Sequence, residues 1–535
     1  AEYMHAMGNS NGGADKYGDL FYEDNRAQGG FVWDWMDQGI RTPIPKEFAS
    51  NIGIGPVKNT FFAYGGFFED PAGVRHDGNF CMNGLIDSEQ KPHPGLFAMK
   101  YLQRGIHVTP IDVKKGHFKI KNWYDTSNAK DLVTGQWKVE KNGDIIASGD
   151  MGSIDLKPRE ELSFKLPSSK FSLSQIDEKS ILEDSYFLTF EFKAKSSYHP
   201  LVTEGHILSW DQFALNEPQI HQGLTKSDVV NWNDDGSFIT IENNNLKIAF
   251  DRKKGMFESY QVNGKSLIDR GVVTQFSRPW NDNELRQWPK PSKELDYAGK
   301  NAKITSVRVS SKNNGAQIEV RKHAESIKAR IVELYTVYGN GEIVVEMAVD
   351  FKQTPKKILP PLRVGMEWMI PGKFEQVTWF GRRGETHRGR DFEPIGKYSE
   401  SVDDIWVDYS RPQANGNKSD VNWAKFVSKS GDGFLITAIT GPFGFTSRHY
   451  STETMRNSKY SFEMNRSDSI YLCLDVSQSG VGGINSWKEA PLDENRLMKK
   501  YYSYAYRIRP LLNGKATQMN HHVRSDLTKL AKPIK

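Results

Sequence analysis

The spacing of apolar residues divides the chain into a mixed α/β beginning and a longer β-rich remainder. In residues 1–105, helical periodicity marks the segment GGADKYGDLFYEDNRA, and glycines bound the apolar, strand-like run GGFVWDWMD that follows. A second helix is predicted in PHPGLFAMKYLQRG, where Pro94 suits the first turn and Gly105 suits the end. Helix, buried strand and helix in this order indicate part of an α/β fold.

From residue 106 to residue 215 the apolar and polar positions alternate. This alternation predicts strands in HFKIKNWYD, GQWKVE and YFLTFEFKA. The pair Asn142-Gly143 favours a tight hairpin turn, because both residues tolerate the backbone angles that such a turn needs. Several short strands in about 100 residues favour an immunoglobulin-like β-sandwich over residues 106–215.

A polar, turn-rich segment at 216–228 (NEPQIHQGLTKSD) is predicted to be a linker. After it, residues 229–535 are again strand-rich, which predicts one large β-sandwich with long loops and a basic tail, NHHVRSDLTKLAKPIK. The predicted fold class is therefore mainly β. The strands are expected in FITIENNNLKIAF, YQVNGKSLI, NNGAQIEV, YTVYGNGEIVVEM, GFLITAIT and SIYLCLDV, with turns at Asn263-Gly264, Asn314-Gly315 and Asn340-Gly341.

Composition excludes several classes of protein. The net charge is +5, from 71 basic and 66 acidic residues in 535, so charge alone gives no support for a nucleic-acid partner. Cys81 and Cys473 lie far apart, which excludes a disulfide scaffold and a cysteine metal site. No apolar run approaches the roughly 20 residues that a membrane-spanning helix requires.

The first residues of the chain contain a candidate catalytic group. Glu2 precedes the glycine-rich turn HAMGNSNGG, and α/β barrels place catalytic carboxylates at such strand ends, although a solvated surface glutamate is the common alternative. In FVWDWMDQ, strand periodicity predicts that Trp33, Trp35 and Asp37 share one face. Trp33 could support a sugar ring on its π surface, or it could belong to an ordinary core.

Two loops could bind ligands. Asn83 and the backbone carbonyls of GNFCMNGLID suit a hard cation, although a structural loop capped by its own asparagine is the alternative. The glycine-rich stretch SGVGGINSW ends in Trp487, which could cover a ligand or be tucked into the sandwich; it lacks the Gly-Lys-Ser/Thr of a phosphate loop. His387, His521 and His522 lack metal-ligand spacing and are expected at the surface.

Together, the motifs EYMHAMGNSNGG, QGGFVWDWMDQG, FCMNGLI, KPHPGLFAMK, SRPWNDNE and GVGGINSW, in this order, resemble the C-terminal half of the large bacterial β-galactosidases of glycoside hydrolase family 2. The resemblance implies a remnant of a (β/α) barrel comprising its last two strands, then an immunoglobulin-like sandwich and a galactosidase-type sandwich. It implies these roles: Glu2 as nucleophile, His5 as a galactose ligand, Trp33 as the floor of the sugar site, the Phe80 carbonyl and Asn83 as sodium ligands, and Trp487 as the platform for the leaving-group sugar.

The family mechanism is retaining, with a nucleophile and a separate acid/base carboxylate roughly 5–5.5 Å apart. The resemblance places the acid/base, the Mg2+ ligands and the remaining sodium ligand before Glu2, so we expect this chain alone to be inactive. Asp34 and Asp37 are expected to be structural, and SRPWNDNE departs from the family motif too far to carry a role. We expect galactosides as substrates, and either a homo-oligomer or packing against the missing N-terminal half. The alternatives are a non-catalytic complementing fragment and a β-glucuronidase or β-mannosidase specificity.

Overall fold

The computed structural model describes residues 2–68, 73–166, 184–216, 228–287, 289–483 and 489–514, with backbone alone at 2–3, 286–287 and 289–293. Strands make up most of the regular structure in these ranges, which confirms the mainly β fold class. The linker segment and the basic tail predicted above lie almost entirely outside the described residues. Among the helices that the structure describes, none is both long and apolar enough to cross a membrane.

Residues 2–105 form a small α/β unit. The first two strands pair in parallel, and the helix between them supplies the crossover that parallel pairing requires. The next two strands form an antiparallel hairpin. In chain order the elements are β1 (Glu2–His5), α1 (Ala14–Glu23), β2 (Phe31–Trp33), β3 (Ile40–Pro43), β4 (Thr60–Ala63) and α2 (Pro94–Leu102), with 3-10 helices at Lys46–Asn51 and Gly78–Cys81.

This unit has a small apolar core of its own. Met4 of β1, Ala14 of α1 and Met99 of α2 are buried together with Leu85. Both predicted helices are present: α2 starts at Pro94, where the missing N–H costs nothing because the first turn has no partner for it. The core is small, and several apolar side chains on β2 and beyond remain exposed.

Residues 106–216 form two antiparallel sheets, as predicted for a sandwich. Their order in the described residues is β5-β6-β9 in one sheet and β11-β10-β7-β8 in the other. At the β7–β8 hairpin, Asn142 and Gly143 have φ of 53° and 88°, the pair of positive angles that a two-residue turn requires. The elements are β5 (Ile106–Asp112), β6 (His117–Asn122), α3 (Ala129–Leu132), β7 (Val133–Lys141), β8 (Asp144–Asp150), β9 (Glu161–Lys165), β10 (Tyr186–Ala194) and β11 (Ile207–Ala214).

Residues 228–514 form the largest part of the structure. The first elements are β12 (Asn231–Asp234), β13 (Phe238–Glu242), β14 (Leu246–Asp251), β15 (Met256–Val262), β16 (Lys265–Ser266), β17 (Arg270–Gln275), α4 (Asp282–Gln287), α5 (Pro289–Lys300), β18 (Lys303–Lys312), β19 (Gly315–Ala324), β20 (Ala329–Val337) and β21 (Ile343–Asp350), with a 3-10 helix at Glu325–Ile327.

The remaining elements run to the end of the described chain. They are β22 (Arg363–Pro371), β23 (Gln376–Arg382), β24 (Ile395–Ser401), α6 (Val402–Ile405), β25 (Lys418–Val421), β26 (Trp423–Val427), β27 (Gly433–Ala438), β28 (Phe443–Arg448), α7 (Thr452–Asn457), β29 (Ser469–Gln478) and β30 (Tyr501–Leu511), with 3-10 helices at Ser461–Glu463 and Asp493–Asn495.

These strands enclose one large core. In the described residues they form a nine-stranded sheet, β18-β19-β20-β21-β30-β27-β26-β23-β24, and two five-stranded sheets, β12-β13-β14-β15-β16 and β17-β22-β29-β28-β25. Alternate residues of β21, among them Val345 and Met347, point into the core beside Trp368 and Trp379. This alternation is the pattern from which the sequence predicts strands here.

Two details of this region differ from the prediction. The β18–β19 turn is formed by Asn313 and Asn314, both with positive φ, while Gly315 already begins β19; the expected turn at Asn314-Gly315 was therefore one residue late. Helices α4 and α5 were not expected, because their sequence is polar and holds prolines. Pro289 is tolerated since it stands at the first residue of α5.

The α/β unit is docked on the large sandwich by aromatic side chains. Phe61 of β4 lies 4.8 Å from Tyr460 and 4.6 Å from Phe462, measured between ring centroids. The Tyr64 hydroxyl donates to the Lys459 carbonyl at 2.5 Å. The smaller sandwich also contacts the large one, since Phe187 packs near Phe380. These contacts set the position of the α/β unit relative to the loops of the large sandwich.

Candidate active site

The ends of β1 and β2 bring together several of the residues singled out from the sequence. Glu2 lies on β1, but its side chain is outside the described residues. His5, on the same strand, stands opposite Trp33 in the parallel register, and the Ala6 N–H donates to the Trp33 carbonyl at 2.6 Å. The buried His5 ring lies 5.4 Å from the Phe80 ring. His5, Trp33 and Phe80 therefore surround the C-terminal end of β1, whereas Glu2 is the first residue of this strand and stands opposite Phe31.

Trp33 has an exposed side chain at the edge of this group, with 49% of its surface accessible. After Trp33 the backbone no longer pairs with β1 but with residues 83–85. The Asp34 N–H donates to the Asn83 carbonyl at 2.6 Å, and the Leu85 N–H donates to the Asp34 carbonyl at 3.0 Å. The expected common face of Trp33, Trp35 and Asp37 is therefore wrong. Asp37 is buried while both tryptophans are exposed, because the strand partner changes after Trp33.

Asn83 and Phe80 lie in the turn that the sequence marks as a cation site. The Asn83 side chain is buried, and its Oδ1 lies 3.5 Å from Gln38 Nε2, the outer limit of a hydrogen bond. A buried amide oxygen with so weak a donor, three residues from the Phe80 carbonyl, fits the neutral oxygen ligands of a hard cation such as sodium. Among the described side chains, no three His, Cys, Asp or Glu are grouped to hold a metal ion.

The buried carboxyl of Asp37 holds this turn through a backbone hydrogen bond. Asp37 Oδ1 accepts the Gly84 N–H at 2.7 Å, next to Asn83. Burial raises the pKa of Asp37 to about 8, against the opposing effect of that hydrogen bond. His93 donates from Nδ1 to the Gly84 carbonyl at 3.0 Å, and burial lowers the pKa of its ring. At neutral pH the pair is therefore uncharged, and its geometry supports the structural role expected for Asp37.

Trp487 lies outside the described residues, within 484–488. The base of its glycine-rich loop is described, and it is attached to the turn that follows β1. The Gly12 N–H donates to the Val481 carbonyl at 3.1 Å. A Cβ on Gly12 would stand 2.2 Å from that same carbonyl oxygen, so the two backbones approach each other as closely as glycine allows. The loop thus starts beside the candidate site.

Sequence reasoning missed two residues near the site. His387 was expected at the surface, but it is buried: its Nε2 lies 3.0 Å from Glu385 Oε1, and burial lowers its pKa to about 4. The burial results from packing of the β23–β24 loop against the turn after β1, which no local pattern reveals.

Asp282 lies in SRPWNDNE, to which no role was assigned. It accepts a hydrogen bond from Asn79 at 2.7 Å, next to Phe80.

Three family models match the chain in succession. Residues 1–108 match the TIM barrel domain of glycosyl hydrolases family 2, residues 118–216 match β-galactosidase domain 4, and residues 242–508 match the β-galactosidase small chain. β-Galactosidases from Priestia megaterium and Pseudoalteromonas haloplanktis are each 28% identical to this chain, over 95% and 94% of its length. One from Streptococcus thermophilus is 27% identical over 95% of the chain.

The matched domains, in this order, define the class of protein as a modular glycoside hydrolase with a barrel segment and two sandwich domains. These matches confirm the resemblance to the C-terminal half of family 2 β-galactosidases that the motifs indicated. It spans about half the length of the curated relatives it matches, 47% of the Priestia megaterium protein and 48% of the Pseudoalteromonas haloplanktis protein. A galactose 1-epimerase from Lactobacillus acidophilus NCFM aligns with 53% of this chain and 98% of its own at 9% identity and a TM-score of 0.31, too low to support an argument.

Proposed function

We propose that this chain is the part of a retaining β-galactosidase that carries the nucleophile, Glu2, and one wall of the galactose site. The observation that carries the proposal is the convergence of His5, Trp33 and the Asn83 turn around the end of β1. Three family 2 domain matches and the β-galactosidase relatives support the reaction class.

In the proposed reaction the Glu2 carboxylate attacks the anomeric carbon of a terminal β-galactosyl residue. A Glu2–galactosyl ester bond forms as the bond to the leaving oxygen breaks, and a second carboxylic acid gives that oxygen its proton. The same group then takes a proton from water, which cleaves the ester and releases galactose with its configuration retained. The exposed Trp33 ring would support the apolar face of the sugar, and His5 would bind one of its hydroxyls.

Phe80 and Asn83 would contribute two oxygen ligands to a sodium ion. Bound there, the ion would supply a positive charge that binds the galactosyl 6-hydroxyl. Asp37 and His93 hold the turn that presents Asn83 (described above), so this chain's own part is to fix the position of the two oxygens. Trp487, on the loop that starts beside Gly12, would contact the leaving-group sugar.

The acid/base carboxylate and the Mg2+ ligands are assigned to a polypeptide segment outside this chain. The surface of the α/β unit supports this assignment, because Phe31, Trp35 and Ile40 are exposed. Phe31 and Trp35 also border an open groove of about 470 Å³ beside β2. Apolar surface of this kind is typical of an interface. We propose residues 1–105 as barrel segment, 106–215 and 229–535 as sandwich domains, and 216–228 as linker.

The test is complementation. The chain is mixed with a separately produced protein that corresponds to the preceding half of the same enzyme, and hydrolysis of nitrophenyl β-galactoside is followed. We expect no hydrolysis by the chain alone and clear hydrolysis by the mixture. Hydrolysis by the purified chain alone would contradict the proposed division of catalytic groups. Absence of recovery, with both pieces folded, would contradict the complementing role as well.

The sugar is tested with mechanism-based inhibitors on the assembled protein. A 2-deoxy-2-fluoro-galactoside should label Glu2 covalently, which peptide mass spectrometry detects as a galactosyl adduct on the first residues. The corresponding gluco analogue should not label it. If a gluco, glucuronyl or manno analogue labels Glu2 in preference to the galacto compound, the proposed galactose specificity is wrong and the preferred sugar is that of the analogue.

A further inference from the structure

The turn that follows the nucleophile strand is hydrogen-bonded to a distant part of the chain through Asn9 and Ser10. Met7, Asn9 and Ser10 are fully buried, and the turn contains backbone in the left-handed region at Gly8 (φ 57°) and Asn11 (φ 66°). A backbone path of this kind needs surrounding groups to hold it. Those groups come from the large sandwich.

Asn9 is the centre of these contacts. Its backbone N–H donates to Gln413 Oε1 at 2.9 Å, and its Nδ2 donates to the Ala414 carbonyl at 2.7 Å. Nδ2 also donates to Glu385 Oε1, and Oδ1 accepts from Arg390 Nη2 at 2.7 Å. Both ends of the Asn9 amide are therefore fixed by residues of the sandwich, which leaves the side chain a single orientation.

Glu385 and Arg390 form a buried ion pair around Asn9. Each is 2% exposed, and Arg390 Nη1 reaches past Asn9 to donate to the Ser10 carbonyl at 2.5 Å. Glu385 also accepts the Gly416 N–H at 2.8 Å. Burial opposes ionisation of Glu385, but its hydrogen bond with His387, the charge of Arg390 and the Gly416 N–H hold the pKa of the carboxyl below its ordinary value. A buried ion pair adds little to stability compared with apolar packing, whereas its directional bonds fix geometry.

The residues of the large sandwich that bind the turn after β1 also contact the turn that carries Phe80 and Asn83. Gln413 Nε2 donates to Asp282 Oδ2 at 2.9 Å, and Asp282 Oδ1 accepts from Asn79 at 2.7 Å, beside Phe80. Arg411 Nε donates to Asp282 Oδ1 at 2.6 Å. One polar network of the sandwich therefore contacts both the turn after the nucleophile strand and the turn that carries the cation ligands.

We propose that Glu385 and Arg390 are positioning residues for the nucleophile: through Asn9 and Ser10 they fix the turn that follows β1, so that the large sandwich sets the geometry of the catalytic strand. The inference rests on the proposed function for its catalytic consequence, whereas its structural part concerns this chain by itself. Neither residue contacts the reacting atoms in this scheme. Their effect passes through the backbone of the turn.

The first test uses the full chain alone. Glu385→Gln removes the charge that holds Arg390 but keeps the volume of the side chain, and Glu342→Gln is the matched control, since Glu342 is a fully buried glutamate paired with Arg507 and Arg509 elsewhere in the sandwich. Hydrogen exchange is measured on the peptide that covers residues 4–13. We expect exchange in Glu385→Gln to rise by about tenfold or more, because the turn then opens locally, and to stay unchanged in the control. Equal exchange in both variants would overturn the inference.

The second test uses the assembled enzyme. We expect Glu385→Gln to lower kcat by about 10–100-fold with KM changed by less than about threefold, because misplacement of the nucleophile affects the bond-forming step more than binding. Arg390→Lys keeps the charge but loses the paired N–H groups. It should also lower kcat with little change in KM, but by a smaller factor. A raised KM with unchanged kcat would overturn the positioning role. If the wild-type assembly lacks galactosidase activity the proposed function fails, while the exchange experiment still decides the structural part.

Discussion

At the scale of single residues, buried polar groups hold the candidate site, and their surroundings set their charge. Asp37 is kept neutral beside Asn83, whereas Glu385 is kept ionised beside Asn9, although both carboxyls are buried. The difference lies in the partners: burial dominates at Asp37, whereas Glu385 accepts hydrogen bonds from His387 and the Gly416 N–H and lies beside the charge of Arg390. Each carboxyl has the charge that its supporting role requires.

The assignment of Glu2 is tested by replacement and chemical rescue. In the assembled enzyme, Glu2→Ala should lower kcat by on the order of 10³–10⁵-fold, because no group remains to form the covalent intermediate. Added azide should then attack from the vacated side and give α-galactosyl azide, which NMR identifies. Glu23→Ala, at the exposed end of α1, is the control and should retain activity. A β-linked azide product would show that Glu2 is not the nucleophile.

His387 predicts a specific dependence of stability on pH. Its pKa is lowered from 6.5 to about 4 by burial and by the charges of Arg278 and Arg390, although the hydrogen bond with Glu385 opposes this shift. The unfolded chain then binds more protons than the folded chain between these values, so this group's contribution is present above about pH 6.5 and is lost as the pH falls. The full loss is about 3 kcal/mol at most.

The measurement is the free energy of unfolding in urea at steps from pH 7 to pH 5. Glutamine at position 387 can still donate to Glu385 but does not titrate, so His387→Gln should remove up to about 2 kcal/mol of the decline over this interval. His199→Gln, at an exposed position, is the control and should leave the slope unchanged. An equal decline in wild type and His387→Gln would show that this histidine does not titrate as described.

At the scale of elements, the turn between β1 and α1 depends on a glycine for two reasons. Gly8 has φ of 57°, and a Cβ there would stand 2.2 Å from Asp282 Oδ2 and 2.4 Å from Gln413 Oε1. The first constraint is local, whereas the second is imposed by the sandwich. The two can be separated, because Gly53 has φ of 77° and open space around it.

Gly53→Ala should therefore cost about 1–2 kcal/mol of unfolding free energy, the ordinary price of a left-handed alanine. Gly8→Ala should cost at least about 1–3 kcal/mol more, because Asp282 and Gln413 must move to admit the methyl group. Urea unfolding of both variants measures the difference. If both variants lose the same unfolding free energy, Asp282 and Gln413 move aside at no energetic cost, which would contradict their close packing against Gly8.

Local signals account for the elements that the sequence predicts well. The Asn142-Gly143 turn, the Pro94 start of α2 and the strands around Val345 each follow from a few neighbouring residues. The contacts of the turn that follows β1 do not follow from neighbouring residues, since Asn9 and Glu385 are 376 residues apart. Family motifs indicated His5, Trp33, Phe80 and Asn83, but the residues that hold them in place, and the burial of His387, required the three-dimensional structure.

At the scale of the whole molecule, the sandwich domains are well enclosed while the α/β unit is open on one side. Phe31 is 77% exposed and Trp35 is 60% exposed, both beside the groove along β2. Such surface is unfavourable in water and is expected to be covered in the assembled protein. Under the proposed function, the other half of the β-galactosidase covers this surface.

The double variant Phe31→Ser/Trp35→Ser tests this surface. Burying each aromatic side chain contributes about 1.5–3 kcal/mol, so their loss should raise the concentration of the partner half needed for half-maximal activity by about 100-fold or more. Leu201→Ser is the control, because Leu201 is 88% exposed on the smaller sandwich, away from this surface. An unchanged requirement in the double variant would show that the assembly interface lies elsewhere.

The link between Asn9 and the Glu385–Arg390 pair also orders events during biosynthesis. Ribosomes add about 5–20 residues per second, so the turn leaves the ribosome roughly 20–75 s before the residues that fix it, which follow 376 positions later. During that interval the Glu385–Arg390 pair has not been synthesised, so it cannot fix the turn after β1. Under the proposed function, the Glu2 carboxylate is therefore held in its catalytic position only after the sandwich has folded, late in the synthesis of this chain.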